Sequence, residues 1–256
     1  MEDILKVSLI QTDIIWENPE ANFENYQKTI NTKTENPDLI ILPEMFNSGF
    51  SMHYSEGLNG ESSQWLKNTS KAINAHIYAS LAIEIGGKKY NQGQWASPNG
   101  DISIYNKKHL FSYGSEHRHF SSGNEKIITN IRNWKFKPLI CYDLRFPVWS
   151  RNTEPFYDIL IYIASWPMAR IDAWKTLLKA RAIENQCYVI GVNRLGKDGN
   201  NLEYNGQSMI FDFSGKKLLD AENQNGIFSA QLSYLDLHNY RIKFPFLSDG
   251  DSFDFL

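Results

Sequence analysis

Strands that are apolar throughout and strands that alternate occur side by side in this chain, and that mixture limits the folds open to it. Asp38 to Leu42, apolar after its leading Asp, is a short run that reads as a buried strand, and Tyr157 to Ala164, apolar apart from Asp158, is another. Leu5 to Gln11 alternates instead, as a half-buried strand does. Helical segments separate many of them. Asn18-Pro19-Glu20 is a helix start, with a capping Asn, Pro at the first helical position and an acid near the positive end of the dipole. The helix it opens is expected to reach about Thr34. Further helices are expected over Glu61 to Asn74 and Ile171 to Gln186, the latter with Ile171, Trp174, Leu177, Leu178 and Ala182 on one face.

Other strands are expected over His76–Ile85, Trp134–Tyr142 and Tyr188–Asn193. Pro98-Asn99-Gly100-Asp101 is the turn of a hairpin whose return strand runs from Ile102 to Tyr105. A short helix should follow Tyr142. From Gly206 the pattern changes to short antiparallel strands around Ser214-Gly215, and a last helical piece starts near Ser233. Helices covering one side of each of two packed sheets account for the mixture. A single mixed sheet is not well distinguished from that layout by the sequence. With 256 residues and no linker-like stretch, the chain reads as one domain, 1–256.

The net charge of −3 gives no electrostatic footprint for nucleic acid. No apolar run approaches the roughly 20 residues of a membrane helix. The acidic start, Met-Glu-Asp, enters a strand directly, unlike a signal peptide, and two cysteines are too few for a disulfide framework. A reduced, cytoplasmic setting is the expectation.

Three strand ends carry reactive groups. Glu44 follows Asp38–Leu42 and Pro43, Lys107 follows Ile102–Tyr105, and Cys141 ends the run from Trp134 to Ile140. Strand ends are where active sites of α/β folds gather. If these three converge, Cys141 can act as nucleophile. A free thiol titrates about 4 units above a free glutamate, so full proton transfer between them in water costs roughly 6 kcal/mol. Burial of Glu44 and an ammonium at Lys107 should close most of that gap, the ammonium by lowering the thiol pKa. Glu44 then serves as base and later as acid, with Lys107 and the Tyr142 N–H available to an oxyanion. Each residue alone has a plainer reading: a lone Cys is usually a small buried hydrophobe, which is also how Cys187 reads.

Leu42-Pro43-Glu44, Tyr105-Asn106-Lys107-Lys108-His109-Leu110-Phe111 and Cys141-Tyr142-Asp143-Leu144-Arg145-Phe146-Pro147, in this order, resemble the motifs of the nitrilase or carbon–nitrogen hydrolase superfamily. Ala164-Ser165-Trp166-Pro167, Arg181 to Gln186, Gly191 to Arg194 and the tail Tyr240 to Phe246 resemble its omega-amidase branch, bacterial type. The resemblance implies a four-layer α-β-β-α sandwich, a homodimer through helices on one face, a C-terminal tail from about 233 near that interface, and no metal or organic cofactor. It assigns Glu44 as general base, Lys107 to the oxyanion, Cys141 as nucleophile, and Glu116 as the second glutamate that holds Lys107 protonated. The implied substrates are small 2-oxo dicarboxylic acid monoamides, cleaved through a thioester. Arg145 is expected to meet the distal carboxylate, with Arg170 as a second choice and an ion pair to Asp143 as the plainer role for Arg145. Ser165, Trp166 and Met168 are expected to line the pocket.

Other readings stand beside this one. Another amidase, a carbamoylase or a nitrilase of the same superfamily would carry the same motifs, and so would a catalytically silent binding protein. His109 reads as structural, against a papain-like base. His117-Arg118-His119 has no accompanying cluster that would make it a metal site.

Overall fold

The computed structural model describes residues 3–32 and 35–253. Two sheets dominate. The first is ordered β15 (Gly226–Ser233), β1 (Ile4–Gln11), β2 (Leu39–Ile41), β4 (His76–Ile85), β5 (Lys88–Ala96) and β6 (Ile102–Asn106), with the two-residue β3 (Glu56–Gly57) beside β4. The second is ordered β14 (Lys217–Asp220), β13 (Met209–Phe211), β10 (Tyr188–Asn193), β9 (Ile159–Ala164), β8 (Trp134–Ile140) and β7 (Thr129–Ile131). A small hairpin of β11 (Leu195–Lys197) and β12 (Glu203–Asn205) stands apart.

The apolar runs take the places that their patterns demand. β1, β2 and β4 pair in parallel, as do β8, β9 and β10. Parallel strands are covered on both faces, which is why β2 and β9 carry no exposed residue. Successive side chains of β2 enter different cores. Leu39 and Ile41 join the layer between the sheets, whereas Ile40 and Leu42 face a second cluster with Tyr26, Ile30 and Leu66. That outer cluster lies under α1 (Pro19–Asn31) and α2 (Glu61–Ile73), while α4 (Ile171–Asn185) covers β10 and β13. Each such side chain contributes roughly 1.5–3 kcal/mol when fully buried. The result is the α-β-β-α sandwich, not the single mixed sheet.

Local signals set many boundaries. Asn18 Oδ1 accepts from the Ala21 amide at 3.2 Å, and α1 starts at Pro19 as expected. It ends at Asn31, and Thr34 lies outside the described residues. Gly86 and Gly87, with φ of 57° and 76°, make the β4–β5 turn, a geometry that glycine adopts without strain. Ser233 caps α5 (Tyr234–Lys243) by accepting from the Asp236 amide at 3.1 Å.

Other expectations need correction. The strand expected over Trp134–Tyr142 ends at Ile140, because Cys141 turns to φ 44° and opens a five-residue 3-10 turn, Cys141–Arg145. The expected short helix follows as α3 (Pro147–Ser150). The C-terminal strands are not all short: β15 has eight residues and pairs antiparallel with β1. That pairing spans the whole chain, so no local pattern announces it.

Lys137, on β8, is almost wholly buried and donates to the Trp149 carbonyl oxygen at 2.7 Å. Burial, and then nearby Lys126, pull its pKa from 10.5 down to about 7. Unfolded, the lysine stays charged to 10.5, so between these values the unfolded chain binds more protons and stability rises with pH. Below pH 7 both states are charged and the full cost of burying the charge is carried, roughly 4–5 kcal/mol. Urea unfolding from pH 6 to 9 should show wild type gaining on the order of 1 kcal/mol per pH unit relative to Lys137→Met above pH 7. Parallel profiles would refute it.

Candidate active site

The three strand ends meet. After β2 the chain curls inward: Met45 takes φ 47°, and its amide donates to Ser80 Oγ at 2.9 Å, which turns Glu44 into the interior. Lys107 leaves β6 with its amide on the Asn91 carbonyl at 2.9 Å, and its own carbonyl accepts from Gly123 at 2.9 Å. A Cβ at Gly123 would come within 2.1 Å of the Asn106 oxygen, so only glycine permits that approach. Cys141 is held in the left-handed region, which costs a non-glycine residue about 1–2 kcal/mol. Asp143 holds the turn in place. Its carboxylate accepts from the Ile140 amide (3.1 Å), the Tyr105 hydroxyl (2.8 Å) and the His109 amide (3.0 Å), and pairs with His109 Nδ1 (2.8 Å). One side chain thereby joins the cysteine turn to the lysine segment.

Glu44, Lys107 and Glu116 form a buried charge cluster. Lys107 Nζ lies 2.8 Å from Glu44 Oε1 and 3.1 and 2.9 Å from the two oxygens of Glu116. None of the three side chains is exposed to solvent. Glu44 Oε2 accepts from the Ser165 amide at 2.8 Å, and Glu116 Oε2 accepts from the Phe111 amide at 2.6 Å. Burial by itself disfavours the Lys107 ammonium, but the carboxylates of Glu116 and Glu44 outweigh it and move its pKa upward. Burial pushes the Glu116 carboxyl up, against the pull of Lys107.

Cys141 connects this cluster to a cavity of about 350 Å³ that opens on its other side. Its Sγ lies 4.0 Å from the Ser165 carbonyl oxygen. The expected lowering of the thiol pKa does not occur. Burial and then the Glu44 carboxylate raise it well above its ordinary value, and Lys107 offsets them only in part. The resting group is therefore the thiol, and the thiolate can form only as its proton leaves.

Of the other expected residues, Tyr142, Arg145, Ser165 and Trp166 line the cavity. Arg145 spreads its guanidinium over the Trp166 ring, 4.9 Å from the centroid. Its expected alternative, an ion pair with Asp143, does not form, because Asp143 is committed to Tyr105, His109 and Ile140. Met168 is a correction: it is 44% exposed and does not line the cavity, whose wall there is Pro167 and Arg170. The 3-10 turn over Met168–Arg170 accounts for this by rotating successive side chains away from one another. His109 is structural, stacked on Phe146 at 3.7 Å. His117, Arg118 and His119 are exposed and border a separate surface hollow. Cys187 is fully buried away from the cavity, and burial lifts its pKa to about 12.

Sequence reasoning missed two contributors. Asn91 of β5 is fully buried and donates to Glu44 Oε1 at 2.8 Å and Glu116 Oε1 at 3.1 Å. The amide-rich run Asn91-Gln92-Gly93-Gln94, unusual inside a strand, was the available signal. The β11–β12 hairpin supplies Asp198, Asn200, Leu202 and Tyr204 to the cavity wall. Its base is held by Arg194, which pairs with Asp13 at 2.8 Å and lies 4.7 Å from the Tyr204 ring centroid.

A buried thiol backed by a carboxylate–ammonium–carboxylate cluster, set between two helix-covered sheets, suits attack on a carbonyl-type carbon bonded to nitrogen. The sequence model of the carbon–nitrogen hydrolase family matches residues 6–241, and the chain belongs to that family, whose members hydrolyse carbon–nitrogen bonds. It is 39% identical to Omega-amidase YafV of Escherichia coli (strain K12), over 97% of this chain and 98% of that one. It is 35% identical to the 2-oxoglutaramate amidase of Bacillus subtilis (strain 168), over 95% and 96% of the two chains. The crystal structure of XC1258 from Xanthomonas campestris, a CN-hydrolase superfamily protein with an arsenic adduct in its active site, superposes with a TM-score of 0.96 at 37% identity, over 99% of both chains.

Proposed function

We propose that this chain is an omega-amidase that converts 2-oxoglutaramate or 2-oxosuccinamate and water to the 2-oxo acid and ammonia. The carrying observation is that Cys141 lies between the Glu44–Lys107–Glu116 cluster and a cavity that also contains two arginines. In the proposed reaction Sγ of Cys141 attacks the amide carbon while Glu44 takes the thiol proton. Lys107 and the Tyr142 amide face the developing oxyanion. The C–N bond breaks as Glu44 returns the proton to the departing nitrogen, leaving a thioester. A water molecule, deprotonated by Glu44, then attacks the thioester, and Cys141 recovers its proton. Glu116 keeps Lys107 charged throughout. No step calls on a cofactor.

The distal carboxylate is assigned to Arg145, the planar fork suited to it, with Arg170 on the same wall. Arg145→Ala should raise KM for 2-oxoglutaramate roughly 10- to 100-fold with little change in kcat. Hydrolysis of a neutral amide of similar length should be unaffected. Ser165 and Trp166 complete the wall of this subsite.

The test is ammonia release from 2-oxoglutaramate, carbamoyl amino acids and simple nitriles, compared at equal concentration. Preference for 2-oxoglutaramate is the expected result. Preference for a carbamoyl amino acid or a nitrile would move the chain to another branch of the family, and no turnover of any of them would favour a silent binding protein. The proposal includes one domain over 1–256, a cytoplasmic setting and a homodimer. Support for the dimer comes from Leu235 and Ile242 of α5 and Phe246 of the tail, which are exposed apolar side chains. Among the described residues no helix is long and apolar enough to cross a membrane.

A further inference from the structure

Two donors bridge the same two oxygens in the buried cluster. Lys107 Nζ contacts Glu44 Oε1 at 2.8 Å and Glu116 Oε1 at 3.1 Å. Asn91 Nδ2 contacts the same atoms at 2.8 and 3.1 Å. The amide of Asn91 can lie only this way round, since its oxygen would otherwise face two carboxylate oxygens. That oxygen, Oδ1, is buried and has no hydrogen-bond partner among the described residues. An unpaired buried acceptor is a cost to folding, so the two donated bonds are what the position supplies.

The acceptor inventory of Glu44 shows the consequence. Oε1 has both acceptor directions filled, by Lys107 and Asn91, while among the described residues Oε2 accepts only from the Ser165 amide, at 2.8 Å. An incoming proton therefore has room on Oε2 alone. We propose that Asn91 is a positioning residue for amide hydrolysis: it ties the Glu44 and Glu116 carboxylates together through one shared donor and directs the thiol proton to Oε2 of Glu44. This inference rests on the amidase chemistry above.

The titratable and charged groups facing the pair are Lys107 from the end of β6, Cys141 from the end of β8 and Tyr78 from β4. Burial drives the Tyr78 pKa far upward, and Lys107 stays protonated. Burial raises the Glu116 pKa, so the acid limb of the rate profile follows that carboxyl, which Lys107 and Asn91 contact. Removing a donor from Glu116 raises its proton affinity, so the limb moves to higher pH.

The experiment is kcat/KM for 2-oxoglutaramate against pH in wild type, Asn91→Leu and Asn91→Ser, with alkylation of Cys141 by iodoacetamide followed over the same range. For Asn91→Leu the acid limb should move up by about one to two pH units, with activity recovering as pH rises. The serine variant, which keeps one donor, should fall between. KM should stay near wild type, because Asn91 does not line the cavity. The alkylation profile should shift equally, and it needs no substrate. If wild type fails to hydrolyse 2-oxoglutaramate, the substrate assignment falls, and the alkylation profile alone still decides the role of Asn91. A loss that is equal at every pH, or an unmoved limb in both profiles, would overturn the role.

Discussion

Cys141→Ala is expected to abolish ammonia release from 2-oxoglutaramate, whereas Cys187→Ala should keep kcat within about twofold of wild type. Without the sulfur there is no thioester route, and the expected loss is at least on the order of 10⁴-fold. The two cysteines differ in surroundings, not in intrinsic chemistry. Both are free thiols whose pKa burial raises. Only Cys141 borders the cavity and has a carboxylate able to take its proton; Cys187 is packed in the core. Iodoacetamide should therefore label Cys141 first, and 2-oxoglutaramate should slow that labelling. Comparable slow labelling of both residues would count against Cys141 as the nucleophile.

Lys107→Met should cost both activity and stability. The ammonium holds apart two carboxylates that share no exposure to solvent. With Lys107 the three groups sum to −1; without it they sum to −2. Removing one partner from a buried ionic cluster costs about 3–5 kcal/mol. One carboxyl would then take up a proton, and Glu116, already displaced upward by burial, is the expected acceptor. A carboxyl whose folded pKa lies above its unfolded one stabilises at low pH and loses that contribution as pH rises through the folded value. The variant should accordingly be least stable at alkaline pH in urea unfolding between pH 5 and 9. Adding Glu116→Gln restores a sum of −1 and should return most of the stability but little of the activity. A double variant as unstable as the single one would show that the cost is lost packing, not charge. For Lys107→Met the rate should fall on the order of 10³-fold, as when a preorganised charge is removed from a tetrahedral intermediate.

Much of this site was legible before the fold was known, because the informative residues sit at ends of strongly patterned strands. Pro43-Glu44 closes the apolar run Leu39–Leu42, and Cys141 closes the strand Trp134–Ile140 on its apolar end, Leu139-Ile140. What the sequence could not supply was the balance of fields on the thiol. Lys107 argued for a lowered pKa, yet desolvation and the Glu44 carboxylate prevail, and both depend on depth and distance. Met168 failed for a related reason: a position two residues from Trp166 has no fixed side-chain direction until the turn type is known. Asn91 and the β11–β12 hairpin escaped because their partners lie far along the chain. Asn91 is 47 residues from Glu44 and 25 from Glu116.

By itself the sequence determined which segments become strands and helices, and which reactive side chains stand at their ends, since local periodicity, caps and turns act within a few residues. Only the tertiary structure decided that β15 returns to β1, that Asp143 ties the cysteine turn to the lysine segment, and that Asn91 and Lys107 grip the same pair of oxygens. Those contacts exist because two sheets pack face to face and exclude water, and the strength of a charge or a hydrogen bond there is set by that exclusion.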